Sequence, residues 1–473
     1  MKFIYKTLLL SLFSGLVFSS CDDFVEDVDI VDPTAENSDD YLPVEFLTSV
    51  YGMHTDFSYA FSYLGITDMI SDNSDKGSSP TDTGTDKRAL DNLDFTSSSV
   101  SVTAMWTQWY KTVGRASQAI EIAQNYEGQT EVPNARVIGE AKFLRALNYF
   151  WLVRSFGAVP IQEIDLVERA PVDEVYAYIE QDLLDAIDAL PLKSDYSSTD
   201  LGRATKGAAQ GLLAKVYLYQ ERWQDAADMA NNVITSNQYS LDPDYANIWR
   251  ETGENGPGSL FEIQARGEIP QHGVQQYSQT QGARGTNGWG WGFNSPSQNL
   301  EDAFNAAGDE IRRDATIIFA GETLFDGREV NAGVENPRYS EKAYSSINAG
   351  QGDGDKNIRV LRYAEVLLIR AEALNELGQS SAALAPLNQV RTRVSLPTVT
   401  STDQGSVRQA IWTERRLELA MEHDRWFDLI RTGQAEAAMA ADGKTFVTGK
   451  HELFPIPNNQ LVQTPEMSQN PGY

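Results

Sequence analysis

The sequence predicts a mainly α fold, a tetratricopeptide-like helical-pair scaffold interrupted by one large, irregular, loop-rich insertion. Three observations predict it. Residues 205–237 carry small and apolar residues at helical spacing (Ala209, Leu212, Leu213, Val216, Tyr217). A break at Gln220, Glu221 and Arg222 follows, then a second apolar series at Ala226, Ala227, Ala230, Val233 and Ile234, the pattern of an αα-hairpin. Residues 371–390 repeat 214–233, matching Ala214 with Ala371, Tyr217 with Leu374, Ala226 with Ala383, Val233 with Val390, and the turn residue Glu221 with Gly378. Between the two copies, over 239–357, helical periodicity fades and Gly, Asn, Gln, Ser and aromatic residues take over.

The elements follow in order. Residues 1–20 have the form of a signal peptide, with Lys2 and Lys6 ahead of an apolar run at 8–18 too short to span a bilayer. Ser19 and Ser20 then lead to Cys21, the single cysteine of the chain, placed where a bacterial lipoprotein receives its lipid. Residues 21–43 are acidic with a proline break and read as a tether lifting the folded part off the membrane. No later segment is long and apolar enough to cross a bilayer, so the expectation is an anchored protein rather than a spanning one.

The first part of the scaffold covers 44–238. It predicts a helix at 44–62, a long polar loop at 68–96, and a helix at 102–126 carrying Trp106, Trp109 and Tyr110. A partner helix at 134–156 is ended by Gly157 and Pro160, and a further helix spans 172–190. In the insertion, 260–264 and 338–344 read as short strands. The scaffold resumes at 358–473 with a long final helix at 407–430. Its Pro- and Asn-rich ending, 453–473, is expected to lie along the surface without regular structure.

Composition narrows the function. A formal net charge of −29 disfavours nucleic acid and anionic headgroups as partners. The four histidines, His54, His272, His423 and His451, form no HExxH pair, and there is no GxSxG elbow, so neither a metal nor a cofactor is expected. The carboxylates of 350–355 (GQGDGD) lack the twelve-residue calcium-loop pattern and read as a solvated turn. Arg415, Arg416 and Arg425, interleaved with acids, are expected to make ion pairs at a helix surface.

The residues best suited to a ligand lie in two loops. Sugar rings present C–H faces that need flat apolar platforms, with planar polar groups for the hydroxyls. Trp289, Trp291 and Phe293 stand among glycines, off any periodic element, and i, i+2 spacing puts Trp289 and Trp291 on one face of an extended chain. Tyr277, Arg284 and Asn287 are close enough in sequence to supply hydrogen bonds, and the 68–96 loop offers Asp72 and Asn73 as acceptors, with Asp75 beside them. The alternative is that the loop aromatics plug the scaffold or contact a partner protein.

Three stretches together resemble the SusD/RagB family of outer-membrane nutrient-binding lipoproteins: GRATKGAAQGLLAKVYLYQERWQDA at 202–226, ERRLELAMEHDRWFDLIRTG at 414–433, and the ending LFPIPNNQLVQTPEMSQNPGY at 453–473. The ending is the most specific, because nothing in helix packing produces it. WTQWYKTVGRASQAIE at 106–121 and LRYAEVLLIRAEALNELG at 361–378 fit the same pattern. The family usually shows Gly before the Arg-Trp pair, where this chain has His423 and Asp424. The resemblance implies four tetratricopeptide-type helix pairs with an irregular ligand-binding half. It also implies a non-enzymatic protein that captures glycans at the cell exterior and passes them to a SusC-like TonB-dependent outer-membrane transporter. The acids after Cys21 resemble the surface-export signal of Bacteroidetes lipoproteins. Peptides or other nutrients are alternative ligands, and a protein-interaction scaffold is the alternative role for the helical repeats.

Overall fold

The computed structural model describes residues 42–162, 167–267, 273–346 and 354–473. The expected signal peptide, Cys21 and the acidic tether lie outside the described residues, as do His272 and most of 350–355. The helix expected at 44–62 is two helices, α1 (Pro43–Gly52) and α2 (Phe57–Leu64). Asp56 makes the break: its backbone is extended and its carboxylate accepts a hydrogen bond from Ser58 N at 2.7 Å, capping α2. A π-helical turn at Gly65–Met69 leads into strand β1 (Ser74–Gly77) and helix α3 (Thr85–Asp91).

The stack begins with α4 (Val100–Asn125) and α5 (Asn134–Phe156). Ser99 caps α4 by accepting from Val102 N, and Trp106 and Trp109 are buried on it, as its periodicity predicts. Helix α5 buries nearly its whole circumference, because α4 packs on one side and α6 (Val172–Ala189) on the other. The hairpin α7 (Lys206–Tyr219) and α8 (Trp223–Thr235) continues the stack.

The chain then leaves the stack. The insertion holds β2 (Ser259–Ile263), α9 (Tyr277–Gln281), β3 (Phe293–Pro296), α10 (Gln298–Ala307), α11 (Glu310–Asp314), β4 (Ile317–Phe319) and β5 (Arg338–Ser340). Strand β6 (Ile358–Arg362) brings the chain back by pairing antiparallel with β2. Helix α12 (Tyr363–Glu376) then packs on α8 and forms the second hairpin with α13 (Ser380–Arg393). The two hairpins correspond in detail. Ala214, Ala226, Ala371 and Ala383 are all fully buried, and the turn residues Glu221 and Gly378 are both left-handed, at φ 55° and 76°.

The helix expected at 407–430 is divided into α14 (Gln404–Glu418) and α15 (Arg425–Arg431), followed by α16 (Ala435–Ala441). Met421 and His423 lie between α14 and α15 with φ of 61° and 71°, which no right-handed helix accommodates. Arg415 makes its expected ion pairs, 2.9 Å to Asp428 and 3.2 Å to Glu365, but in the interior rather than at the surface.

The ending also differs from expectation. It contains a short helix, α17 (Asn458–Gln463), and it is pinned into the core rather than laid along the surface. Phe454, Ile456 and Met467 are buried, and Asn470 Nδ2 donates to the carbonyls of Phe156 and Phe454 at 2.9 and 2.7 Å. Leu42–Tyr473 forms one compact unit.

Candidate functional site

Two loops distant in sequence meet here through strand pairing. Strand β1 runs antiparallel to β3, with Ser74 opposite Pro296, Asp75 opposite Ser295 and Gly77 opposite Phe293. Ser74 Oγ donates to Asn294 Oδ1 at 2.7 Å, and Asn294 Nδ2 donates to Gln281 Oε1 at 2.9 Å, so the pairing is buttressed by a buried polar chain reaching α9.

Asp72 and Asn73, expected as acceptors for ligand hydroxyls, are buried and already engaged. Arg425 grips Asp72 with both ends of its guanidinium, Nε to Oδ1 at 2.7 Å and Nη2 to Oδ2 at 2.8 Å, and Arg416 adds a third contact at 3.2 Å. Burial pushes the Asp72 carboxyl up, but the hydrogen bonds and charge of Arg425 and the charge of Arg416 outweigh it and hold it below its usual value. Asn73 Oδ1 accepts from Arg416 Nε at 2.9 Å. These two residues anchor the loop to α14 and α15.

The aromatic residues separate. The turn between Trp289 and Phe293 is tight: a side chain at Gly290 would meet Gln279 O at 2.3 Å, and Gly292 sits at φ 76°. Trp289 turns inward, only 6% exposed, into a small cluster with Ile318, Leu324, Val330, Tyr339 and Tyr344. Trp291 faces the other way and stays half-buried. It stands edge-on to Phe57 (6.2 Å) and Phe61 (6.4 Å) on α2, which stack on each other at 5.9 Å. Phe293 is buried behind them, 4.9 Å from Phe61. Lys87 lies beneath, its Nζ 3.9 Å from the Phe61 ring centre and donating to Ser101 Oγ at 2.6 Å. Burial lowers Lys87 to about 8, partly offset by Asp86. The result is a braced, partly open platform of Trp291, Phe57 and Phe61.

Among the polar residues expected at the site, Tyr277 is buried with its hydroxyl 3.2 Å from His423 Nε2. Arg284 is half-exposed, donating to Ser78 Oγ at 3.2 Å and pairing with Glu335 at 3.3 Å, and Asn287 is exposed in a left-handed turn. Trp291, Arg284 and Asn287 therefore reach solvent from this loop, whereas Trp289, Phe293, Tyr277, Asp72 and Asn73 are interior. Phe57 and Phe61 escaped the sequence reading because i, i+4 aromatic pairs on a helix usually mark core. The available signal was Asp56, a capping residue that starts a new helix at Phe57.

The arrangement offers a surface rather than a chamber. The interior cavity bounded by Trp151, Lys215 and Asp424 holds about 20 Å³ of free space, room for a water but no sugar. The described histidines are in structural contacts: His54 with Asn148, His423 with Asp68, and His451 accepting from Val447 N. Among the described residues no group of three His, Cys, Asp or Glu is placed to hold a metal, and no helix is long and apolar enough to cross a membrane.

Comparison with known proteins agrees with this architecture. Residues 320–473 match the profile of the SusD family, and residues 47–218 match a profile described as starch-binding and associating with the outer membrane. A SusD-like protein of Formosa agariphila is 32% identical over 418 residues, covering 79% of this chain and 81% of the relative. A structure described as a laminarin binding SusD-like protein superposes with a TM-score of 0.78 at 29% identity, covering 91% of this chain and 99% of that one. A SusD homolog of Bacteroides thetaiotaomicron gives a TM-score of 0.80 at 26% identity, with 93% and 99% covered. The helical architecture is thus shared with these proteins, and the chain belongs to the SusD family.

Proposed function

We propose that this protein is a cell-surface glycan-binding lipoprotein, anchored at the outer membrane through Cys21, that captures oligosaccharides at the Trp291 platform and delivers them to a partner SusC-like TonB-dependent transporter. The observation that carries the reading is the partly exposed Trp291 braced by Phe57 and Phe61. A flat indole held in one orientation receives the C–H face of a sugar without first losing side-chain freedom. Each such contact contributes on the order of 1 kcal/mol, by analogy with aromatic pairs. Affinity for a single short oligosaccharide is therefore modest, and capture gains from many receptors sharing one chain. Arg284 and Asn287 border the loop and supply hydrogen bonds to hydroxyls.

The net charge of −29 favours a neutral glycan over a polyanionic one. The relative described as laminarin binding supports laminarin as the first ligand to try. On this reading the role is capture without bond cleavage. Affinity electrophoresis of the chain lacking residues 1–21, through gels containing laminarin, starch or other neutral polysaccharides, tests the reading. Retardation by one polysaccharide, weakened by Trp291→Ala, is expected; migration unaffected by every polysaccharide would overturn it. Delivery is tested by co-purification of the membrane-anchored protein with a TonB-dependent transporter.

A further inference from the structure

We infer that the hairpin tip at Phe325 is a second sugar-stacking site, separate from the Trp291 platform, that takes a distant part of the same glycan chain. The inference rests on the glycan-binding reading above and extends it along the surface. Phe325 is 51% exposed in the turn between β4 and β5, although burying such a ring is worth about 1.5–3 kcal/mol. It is nevertheless held in place. The Arg250 guanidinium lies 3.4 Å from the ring centre, covering one face, and Arg250 is fixed in turn by Glu341 at 2.7 Å. Tyr344 meets the ring edge-on at 5.8 Å, and its hydroxyl donates to Asp326 at 2.6 Å. The turn itself is closed by Leu324 N donating to Arg328 O and Gly327 N to Leu324 O, at 2.8 and 2.9 Å. A ring packed only for stability would point inward; this one is braced from behind with its other side open.

The surroundings favour a sugar over a protein partner. The buried centre of a protein interface is depleted of charged residues, whereas Phe325 is flanked by exposed Asp326, Gly327 and Glu329. A carboxylate beside an aromatic face, with Arg328 close by, is the planar polar complement that hydroxyls need. The site is also continuous with the loop that carries the platform. Tyr344 touches Trp289 at 5.4 Å, and Trp289 is two residues from Trp291, which keeps Phe325 within roughly 25 Å of the Trp291 ring. A long chain reaches both; a trisaccharide reaches one.

Titration calorimetry of the chain lacking residues 1–21 with laminarin and with laminaritriose tests this. Phe325→Ala is expected to weaken laminarin binding about five-fold, the loss of one aromatic contact, and to leave laminaritriose unchanged. Phe325→Trp should keep laminarin affinity, and Trp291→Ala should weaken both ligands. Equal laminarin affinity for Phe325→Ala and the unmutated protein, with Trp291→Ala still defective, would overturn this site alone. Equal weakening of both ligands by Phe325→Ala would also overturn it, as a general disturbance of the fold. Failure of the unmutated protein to bind laminarin would remove the second site together with the first for this class of glucan.

Discussion

His423 holds the Asp68 carboxylate twice, through its backbone N–H to Oδ1 at 3.1 Å and through its ring Nδ1 to Oδ2 at 2.8 Å. Asn294 Nδ2 reaches the same Oδ2 at 3.3 Å, and Tyr277 closes the far side of the imidazole. One buried side chain thus ties together the turn before β1, helix α9 and strand β3, the segments that carry the platform. His423 does this at φ 71°, a left-handed conformation that glycine adopts more readily than any residue with a side chain.

That geometry predicts an order of stabilities. Both His423→Gly and His423→Ala lose the ring bond to a charged acceptor, worth about 1.5–3 kcal/mol. Alanine additionally keeps the left-handed strain, about 1 kcal/mol more. Urea denaturation should therefore place the alanine variant below the glycine variant, and both below the parent. Alanine as stable as glycine would show that the positive φ carries no cost here.

The two tryptophans of the loop should behave oppositely. Trp291→Ala is expected to weaken polysaccharide retardation and to cost less stability than Trp289→Ala, because the Trp291 ring is partly exposed whereas Trp289 is buried. Trp289→Ala empties the small cluster against Tyr344 and should cost about 3–5 kcal/mol. If Trp289→Ala leaves the melting temperature intact, its assignment as a structural plug is wrong.

Lys87 gives a pH signature. Burial holds it at about 8 in the folded protein, while a free lysine titrates near ~10.4. Between these values the unfolded chain binds the extra proton, so this group makes stability rise with pH by up to about 1.4 kcal/mol per unit. Lys342, lowered to about 8 by burial, acts with the same sign. Lys87→Met should make the rise between pH 8 and 10 shallower, with the Lys342 share remaining. Identical slopes for parent and variant in denaturation across that range would contradict the buried placement.

The repeated turn gives a reciprocal pair. Gly378→Ala forces a Cβ into φ 76° with open space around it, so strain alone should destabilise by about 1 kcal/mol. Glu221→Gly relieves the same conformation at φ 55° and should stabilise by a similar or smaller amount. Opposite shifts in denaturation midpoint are expected; shifts of one sign would mean that the two turns are not equivalent.

The sequence by itself determined the helical stack and the duplicated hairpin. Those features are written in local apolar periodicity, and Ala214, Ala226, Ala371 and Ala383 mark the close helix contacts directly. It also pointed to the two loops that meet at β1 and β3. It did not determine which side chains face solvent. Trp289 and Trp291 are two residues apart in one glycine-rich run, yet a tight turn sends one inward and leaves the other open. Asp72 looks like a free acceptor until α14 and α15 bring Arg416 and Arg425 to it across the fold. The breaks at Asp56, Met421 and His423, and the pinning of the ending through Asn470, were likewise decided by tertiary contacts. Exposure and pairing depend on neighbours hundreds of residues away, and local spacing carries no record of them.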